Sequence, residues 1–462
     1  MMRSWLSVTF ALSLGICAWA QQTAVGSDHT AKNALERDID PAIAKIISET
    51  KAFDNHAHPM LSPPDDRSDR NFDALPVDNM APQTDPVAWR PNWPMLHDAW
   101  LALYGVNAQA PLSPQDAKTL DAARVRVKAK EGVHYSQWVL DKAGIAIMAA
   151  NRVSMGTGVQ PPRFLWVPYD DALLFPLSNK GAADTPDRIL FFTLEEKLRS
   201  KYLAAAGQRS LPASMDEYIS KVVLPTLDRQ KQGGAIAVKF ELAYLRGLDI
   251  GHPSHAEAAE VYAKYAAHGV PPPAAYKTLQ DYLFRVIAQR CGDLGMAVHF
   301  HGMSGGGRYF SIAGVDPLNL EPLLNDASLA GTNFVLLHGG WPFVLEAGAM
   351  LQKPNFYLDI SQQSLTIPAR TLSTWLREWL EMYPEKVLFG TDGYPYSSAL
   401  GWEEATWLAA RNGREALGLA LTGMQRDGEI TPQRAAQLAR MVLYGNAAAL
   451  YRINVQDISL AK

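Results

Sequence analysis

Cysteine is almost absent from this sequence of 462 residues, which contains only Cys17 and Cys291. Cys17 lies in an N-terminal segment that we expect to be removed, so the mature chain would have one cysteine and no disulfide framework. Because 48% of the residues are hydrophobic, a large core can supply the stability instead. Cys291 lies at a predicted helix end, and we interpret it as a packed residue rather than a nucleophile.

An excess of charge of one sign is also lacking. Lys and Arg number 43, Asp and Glu number 47, and the formal net charge is -4. The chain contains no block of like charge and no low-complexity tract. Without a basic face there is no electrostatic footprint for nucleic acid, so we expect a small-molecule substrate as the partner. Assembly into a homo-oligomer is left open.

Long apolar runs are confined to the N-terminus. An apolar stretch over residues 6–16 follows Arg3, and the segment AWA at residues 18–20 is a cleavage site of the A-x-A type. This pattern predicts a secretory signal peptide over residues 1–20, which is too short for a membrane span. Lipid attachment through Cys17 is a weaker alternative, because the preceding residue is bulky. We therefore expect an exported protein, periplasmic or secreted, with no membrane span after cleavage.

Short apolar strands alternate with helical segments from residue 40 onwards. Eight strands are predicted, over residues 52–56, 145–149, 164–167, 235–240, 296–301, 333–338, 355–360 and 386–391. This alternation predicts an α/β fold, with a (β/α)8 TIM barrel as the leading architecture. An open doubly wound sheet is the alternative, but no G-x-G-x-x-G motif follows an early strand.

The chain divides unequally around this barrel. We expect a polar leader over residues 21–39, the barrel over residues 40–455 and a tail over residues 456–462. A passage rich in Pro and Asp and two predicted helices follow the first strand, so we interpret residues 61–130 as an insertion over the barrel mouth. Its aromatic residues fit a lid over a small-molecule pocket, and an ordinary helical core explains them equally well.

Polar side chains collect where the predicted strands end. His56 and His58 end the first strand and point to the same face, because side chains alternate along a strand. Five more polar residues end later strands: Lys239, His299, His301, His338 and Asp392. Active sites of such barrels lie at the C-terminal ends of the strands, so we expect these residues in one site.

Imidazole and carboxylate side chains in one site suit Zn²⁺ or another divalent transition metal. Such an ion lowers the pKa of its water to about 7 and so supplies a nucleophile at neutral pH. Asp392 is the natural acceptor for the proton of that water. His338 could ligate a second metal ion or polarise a substrate carbonyl.

The order of these motifs resembles the amidohydrolase superfamily, and most closely its amidohydrolase-related branch with FluG/nodulin-type domains. The resemblance spans about residues 40–455 and is carried by H-x-H at 56–58, Lys239, and the segments HGGWP at 338–342 and GTDGYP at 390–395. It implies a metal-dependent hydrolase. The implied metal-site residues are His56, His58, Lys239, His301, His338 and Asp392, with Asp392 and His338 also catalytic.

The resemblance leaves several roles open. Lys239 is either carboxylated, bridging two metal ions, or binds a carboxylate of the substrate, so one or two ions of Zn²⁺, Mn²⁺ or another transition metal are expected. His299 points the same way as His301 but one layer deeper, and we interpret it as a partner that fixes a metal ligand. Tyr244 and Arg246 are candidate substrate-binding residues, with a structural salt bridge as the alternative for Arg246.

The leading functional hypothesis is hydrolysis of an amide-type C–N bond, or of an ester or lactone, in a small molecule. Non-oxidative decarboxylation by a related barrel is the second hypothesis, although decarboxylases of this type usually lack the lysine. A barrel that binds or signals without catalysis is the third, and the complete ligand set argues against it.

Overall fold

The protein is described by a computed structural model that covers residues 38–75 and 92–453. All eight predicted strands are present: β1 (Ala52–Ala57), β2 (Ile145–Asn151), β3 (Phe164–Val167), β4 (Ala237–Phe240), β5 (Ala297–His301), β6 (Phe334–Leu337), β7 (Phe356–Asp359) and β8 (Val387–Leu388). The predicted signal peptide, residues 21–37 of the polar leader and the C-terminal tail lie outside the described residues.

The strands form a closed parallel barrel, which confirms the predicted architecture. β1 to β3 form one hydrogen-bonded sheet and β4 to β8 another. Backbone hydrogen bonds close both gaps: the N–H of Ile236 donates to the carbonyl of Trp166 (3.1 Å), and the N–H of Asn55 donates to that of Phe389 (2.9 Å). The C-terminal ends of all eight strands therefore meet at one mouth.

Helices surround the barrel and cover its ends. They are α1 (Pro41–Glu49), α2 (Leu96–Tyr104), α3 (Pro114–Glu131), α4 (Tyr135–Ala143), α5 (Asp171–Leu174), α6 (Pro186–Ala205), α7 (Met215–Tyr218), α8 (Leu224–Gln232), α9 (Leu242–Leu245), α10 (His255–Tyr265), α11 (Pro273–Leu294), α12 (Glu321–Leu324), α13 (Val344–Met350), α14 (Gln363–Thr366), α15 (Ala369–Met382), α16 (Trp402–Arg426), α17 (Pro432–Arg440) and α18 (Asn446–Leu450). None of the described helices is long and apolar enough to cross a membrane.

Local sequence signals set where these helices begin and end. The side chain of Asp40 accepts hydrogen bonds from the first turn of α1, and Gly144 ends α4 in the left-handed conformation just before β2. The sequence predicts the start of α6 at Thr193, but α6 begins at Pro186. Thr185 caps that end by accepting from the N–H of Arg188 (3.2 Å), a Thr-Pro start signal that the prediction did not use.

Alternation along the strands separates two apolar cores. Ala237 of β4 belongs to the core inside the barrel together with Phe53 of β1. Val238 and Phe240 belong to the larger core between the barrel and its helices. Lys239 follows the inward alternation of Ala237, and it lines the cavity at the mouth.

The described part of the insertion forms a small core of its own. Trp100 and Tyr104 of α2 are buried in an apolar cluster that includes residues of α16. The indole N–H of Trp100 also donates to the carbonyl of Ala399 (3.1 Å). These aromatic residues therefore pack between the insertion and α16, as the ordinary-core interpretation requires. Residues 76–91 of the insertion lie outside the described ranges.

Candidate metal centre

Two histidines at the end of β1 and one aspartate after β8 come together at the barrel mouth. Nε2 of His56 lies 3.1 Å from Oδ1 of Asp392, and Nε2 of His58 lies 3.5 Å from the same oxygen. All three residues are buried. Within residues 38–75 and 92–453, they are the one group of His, Cys, Asp or Glu side chains spaced closely enough to hold a metal ion.

The chemistry of this triad fits a divalent metal ion. Apart from its 3.1 Å contact with Oδ1 of Asp392, Nε2 of His56 is buried without a hydrogen-bond partner among the described residues. A buried nitrogen without a partner is unfavourable, and a coordinated cation would satisfy it. Two imidazole nitrogens and one carboxylate oxygen are a donor set that Zn²⁺ and related transition metals accept.

Two effects oppose each other at Asp392. Burial works to raise the pKa of its carboxyl group, but the neighbouring imidazoles, chiefly that of His338, hold this pKa well below its usual value. The side chain is therefore ionised at neutral pH, as a metal ligand must be. Its other oxygen, Oδ2, accepts a hydrogen bond from the hydroxyl group of Tyr396 (3.3 Å).

The seam between β8 and β1 holds the triad in register. The backbone N–H of Asp392 donates to the carbonyl of His56 (2.8 Å). The carboxyl group of Asp54 accepts from both the backbone N–H (2.9 Å) and the hydroxyl (2.5 Å) of Thr391. Burial raises the pKa of Asp54 to about 8. This supporting role of Asp54 was not predicted, although the residue lies only two positions before His56.

His338 lies beside the triad and is oriented by two residues at the end of β7. Its ring centroid is 4.9 Å from that of His56. Nδ1 of His338 and the hydroxyl of Ser361 are 2.9 Å apart, and that hydroxyl donates to Oδ1 of Asp359 (2.6 Å). Burial lowers the pKa of His338 to about 3, so its imidazole is neutral. Asp359 was missed, although its place at the end of an apolar strand was a signal that could have found it.

The two histidines of β5 are less directly connected to the triad. His301 lines the same cavity, but its Nε2 is 2.8 Å from the carbonyl oxygen of Met303 and its ring does not join the triad. A role as a metal ligand would therefore use Nδ1 or a rotated ring. His299 hydrogen-bonds through Nε2 with the hydroxyl of Tyr451 (2.7 Å), below the mouth.

A hydrogen-bonded chain connects His299 to His338 through the bottom of the site. The hydroxyl of Tyr451 donates to Oδ1 of Asn55 (2.5 Å). The amide of Asn55 donates in turn to Oδ2 of Asp359 (2.7 Å), the residue whose other oxygen orients His338 through Ser361. His299 is therefore linked to a candidate ligand only indirectly, through several buried groups.

Lys239 faces the triad from β4, in the company of two acids that the sequence analysis did not select. Asp73 and Glu241 line the same cavity. Burial raises the pKa of Glu241 to about 8 against the opposing charge of Lys239, and burial also raises that of Asp73 well above its usual value. Asp73 lies in the irregular segment after β1, where no strand pattern indicated its direction.

The two candidate substrate-binding residues differ in position. Tyr244 lines the cavity, and its ring centroid is 4.6 Å from that of His301. Arg246 does not reach this cavity. Its Nη2 instead donates to Oδ1 of Asp281 (2.5 Å), on α11. Arg246 therefore forms a structural salt bridge, the predicted alternative to a contact with the substrate.

Unfavourable backbone conformations are concentrated at the site. His338, Gln362 and Asp392 all line the cavity and all have positive φ angles, of 67°, 55° and 55°. Residues with a Cβ atom seldom adopt this region, and such strain persists where surrounding structure enforces it. Of these three residues, Gln362 was not predicted, and it places an amide side chain at the mouth.

Comparisons with known proteins identify relatives of this chain. Residues 224–453 match the family described as Amidohydrolase. Over 148 residues the chain is 33% identical to the protein fluG of Emericella nidulans, a match that covers 32% of this chain and 16% of fluG. The chain therefore matches only a small part of the length of that relative.

Solved structures share the fold at low sequence identity. A protein of Lactobacillus casei described as a metal-dependent hydrolase has a TM-score of 0.59 and 17% identity, with 89% of this chain and 97% of that chain covered. Uronate isomerase of Thermotoga maritima has a TM-score of 0.59 and 13% identity, with 91% and 100% covered. The family match over residues 224–453 and the partial relative confirm the resemblance to the amidohydrolase superfamily seen in the sequence, and the solved structures share the barrel fold.

Proposed function

We propose that this protein is a metal-dependent hydrolase that cleaves an amide-type C–N bond, or an ester or lactone, in a small molecule. The observation that carries the proposal is the convergence of His56, His58 and Asp392, with Nε2 of His56 buried 3.1 Å from Oδ1 of Asp392. These three residues would hold the ion. Zn²⁺ suits two imidazoles and a carboxylate best, and Mn²⁺ is the main alternative.

A divalent ion at this position would polarise a substrate carbonyl and make a water molecule more acidic. Asp392 is placed to take the proton of the attacking water, because Oδ1 faces the imidazoles while Oδ2 remains with a weaker partner, the hydroxyl of Tyr396 at 3.3 Å. The same carboxyl group would return the proton to the leaving nitrogen or oxygen.

His338 acts in this proposal as a ligand or proton acceptor rather than as an electrophile. The hydroxyl of Ser361 donates to Asp359, so it accepts the hydrogen bond from Nδ1 of His338. The proton of the neutral imidazole is then on Nδ1, which leaves Nε2 with a lone pair. Polarising a carbonyl would require a proton on Nε2 instead.

Lys239, Tyr244 and Gln362 complete the wall against which the substrate would lie. Lys239 is in position either to bind a carboxylate of the substrate or, once carboxylated, to bridge a second ion. Tyr244 offers an aromatic face and Gln362 an amide. The count of bound ions in the purified protein decides between the two roles of Lys239.

The decisive experiment begins with metal analysis of the mature protein after reconstitution with Zn²⁺ or Mn²⁺. Failure to bind either ion would refute the metal centre. The loaded protein is then assayed with N-acyl amino acids, dipeptides, lactones, aromatic carboxylates and uronates. Turnover of the first three classes supports a hydrolase. Release of CO₂ from aromatic carboxylates alone, or isomerisation of uronates alone, would replace it with a decarboxylase or an isomerase.

We further propose that the protein is exported and acts in the periplasm or outside the cell. The support is the apolar segment over residues 6–16 and the cleavage site at residues 18–20. N-terminal sequencing of the protein recovered from cell fractions tests this proposal. A mature chain that begins at Gln21 is expected, and an intact Met1 in the cytoplasm would contradict it.

A further inference from the structure

We infer that Asn151 and Arg152, the last residue of β2 and the residue after it, are positioning residues that hold the imidazoles of His56 and His58 ready for a metal ion. The inference rests on the proposed metal centre. Neither residue touches the centre of the triad, and each acts through a different histidine. β2 is the direct neighbour of β1, with Ala150 paired to Ala57, so its end lies beside both histidines.

The first arm of this arrangement joins Asn151 to His56. The side-chain amide of Asn151 hydrogen-bonds with Nδ1 of His56, and both residues are completely buried. With Nδ2 turned to the ring, Oδ1 of Asn151 has no hydrogen-bond partner among the described residues, and Nε2 of His56 has only its 3.1 Å contact with Oδ1 of Asp392. The reverse orientation of the amide lets Oδ1 accept from a proton on Nδ1. Nε2 then carries the lone pair that a metal ion needs.

The second arm begins with an ion pair between Arg152 and Asp69. Nη1 and Nη2 of Arg152 donate to the two oxygens of Asp69, at 3.0 and 2.8 Å, and neither side chain is exposed. Arg152 also donates to the carbonyls of Pro59 and Ser154. Such a two-pronged pair fixes both position and direction, which a lysine could not reproduce.

This ion pair fixes the segment that orients His58. Oδ1 of Asp69 accepts from the N–H of Asn71 (3.1 Å), and the carbonyl of Asn71 accepts from the N–H of Val153 (2.8 Å). The next carbonyl, that of Phe72, accepts the hydrogen bond from Nδ1 of His58 (3.0 Å), and the hydroxyl of Tyr169 lies 2.9 Å from the same nitrogen. A proton held on Nδ1 leaves Nε2 of His58 free, 3.5 Å from Asp392.

Asn151 and Arg152 therefore act from the same end of β2 and have the same effect on the two histidines. Each gives a partner to the Nδ1 of one histidine and leaves its Nε2 available to the ion. Partners of this kind strengthen metal binding by fixing the tautomer and the orientation of the ring, and their loss costs about 10–100-fold in affinity. Asp73, which lines the cavity, follows Phe72 directly, so the Arg152 arm also positions one wall of the substrate cavity.

The test of the first arm is the affinity of the metal-free protein for Zn²⁺, measured by competition with a chromophoric chelator. Asn151→Leu removes the acceptor and should weaken binding by about 10–100-fold. Asn151→Asp keeps an acceptor for Nδ1–H but cannot donate, so it should retain the affinity of the natural protein. Equal weakening in both variants, with melting temperatures close to that of the natural protein, would overturn the inference.

The test of the second arm compares two ion pairs between arginine and aspartate. Arg152→Met should weaken Zn²⁺ binding and also lower the melting temperature. Arg285→Met removes an arginine of α11 that pairs with Asp326, away from the triad, and should lower the melting temperature while leaving Zn²⁺ affinity unchanged. An Arg152→Met protein that is folded and binds Zn²⁺ as tightly as the Arg285→Met control would reject the positioning role. If the natural protein itself binds no metal, it is the proposed function that fails.

Discussion

The two halves of the cavity differ in whether their buried polar side chains have hydrogen-bond partners. In the half around the triad, the metal half, Nδ1 of His56, His58 and His338 each has a hydrogen-bond partner, and Asp392 is kept ionised. In the half around Lys239, the acidic half, Oδ2 of Asp73 and Oε2 of Glu241 have no hydrogen-bond partner among the described residues. Both side-chain oxygens of Glu195, a buried residue of α6, also lack one there. Burial raises the pKa of all three of these acids.

The metal half is therefore preorganised, whereas the carboxyl groups of the acidic half can change their charge. The metal half has its donors oriented before any ion arrives, which lowers the cost of binding. The acidic half holds neutral carboxyl groups around Lys239, and these groups change charge when a cation or a polar substrate enters. In the proposed function, the metal half would carry out the chemistry, and the acidic half is where substrate or a second ion would alter the site.

The largest effect should come from the metal half. Asp392→Asn keeps an oxygen at the triad but removes the proton acceptor, so turnover should fall by about 10²–10⁴-fold while a bound ion is retained. Metal analysis and steady-state kinetics of the same preparation check both parts. Tyr396→Phe is the matched control, because it removes only the hydroxyl 3.3 Å from Oδ2. Full activity of the Asp392→Asn protein would refute the proton transfer.

Lys239→Ala tests whether the acidic half also holds an ion. If Lys239 is carboxylated, the natural protein binds two ions and the variant should bind one, because the bridging group is gone. Mass spectrometry under native conditions and metal analysis give the counts. A count of two that survives the substitution would reject the bridge, and a count of one in both proteins would leave Lys239 as a substrate contact.

Asp170, a buried acid whose backbone N–H donates to the carbonyl of Lys239 (3.1 Å), should make the metal-free protein less stable as the pH rises. Burial raises the pKa of Asp170 from 3.8 to about 7, so the folded protein retains a proton that the unfolded chain has lost. The contribution of Asp170 is complete below pH 4 and declines between pH 4 and 7, by at most about 1.4 kcal/mol per pH unit. Denaturant unfolding at several pH values measures this slope.

Asp170→Asn is the variant that isolates this contribution. It keeps the shape of the side chain and an acceptor for Nε2 of Gln230, which donates to Oδ1 of Asp170 at 2.7 Å. The fall in the free energy of unfolding between pH 4 and 7 should become shallower, since the neighbouring acids still contribute. Asp184→Asn changes an exposed carboxyl group and should leave the slope as it is. Identical slopes in all three proteins would contradict the assignment.

The sequence predicts the residues of the metal half better than the residues that orient them. The barrel strands follow from apolar alternation, and His56, His58 and Asp392 follow from their strand ends. Asn151 and Asp359 were missed because their importance depends on contacts with His56 and with Ser361 and His338 that only the closed barrel creates. Position at a strand end indicated where these residues lie, but neither side chain belonged to a pattern that named its partner.

Arg246 was selected from its position, but its contact could not be predicted from the sequence either. Its substitution should have the smallest effect on the site. Its position just beyond β4 suggested that Arg246 lines the cavity. Asp281, 35 residues later in the chain, instead binds its guanidinium outside the cavity. Arg246→Met should therefore lower the melting temperature and leave KM for the eventual substrate unchanged. Tyr244→Leu, only two residues away but inside the cavity, should raise KM several-fold through lost contact. A rise in KM for Arg246→Met equal to that for Tyr244→Leu would show that the substrate site extends beyond the acidic half and includes Arg246.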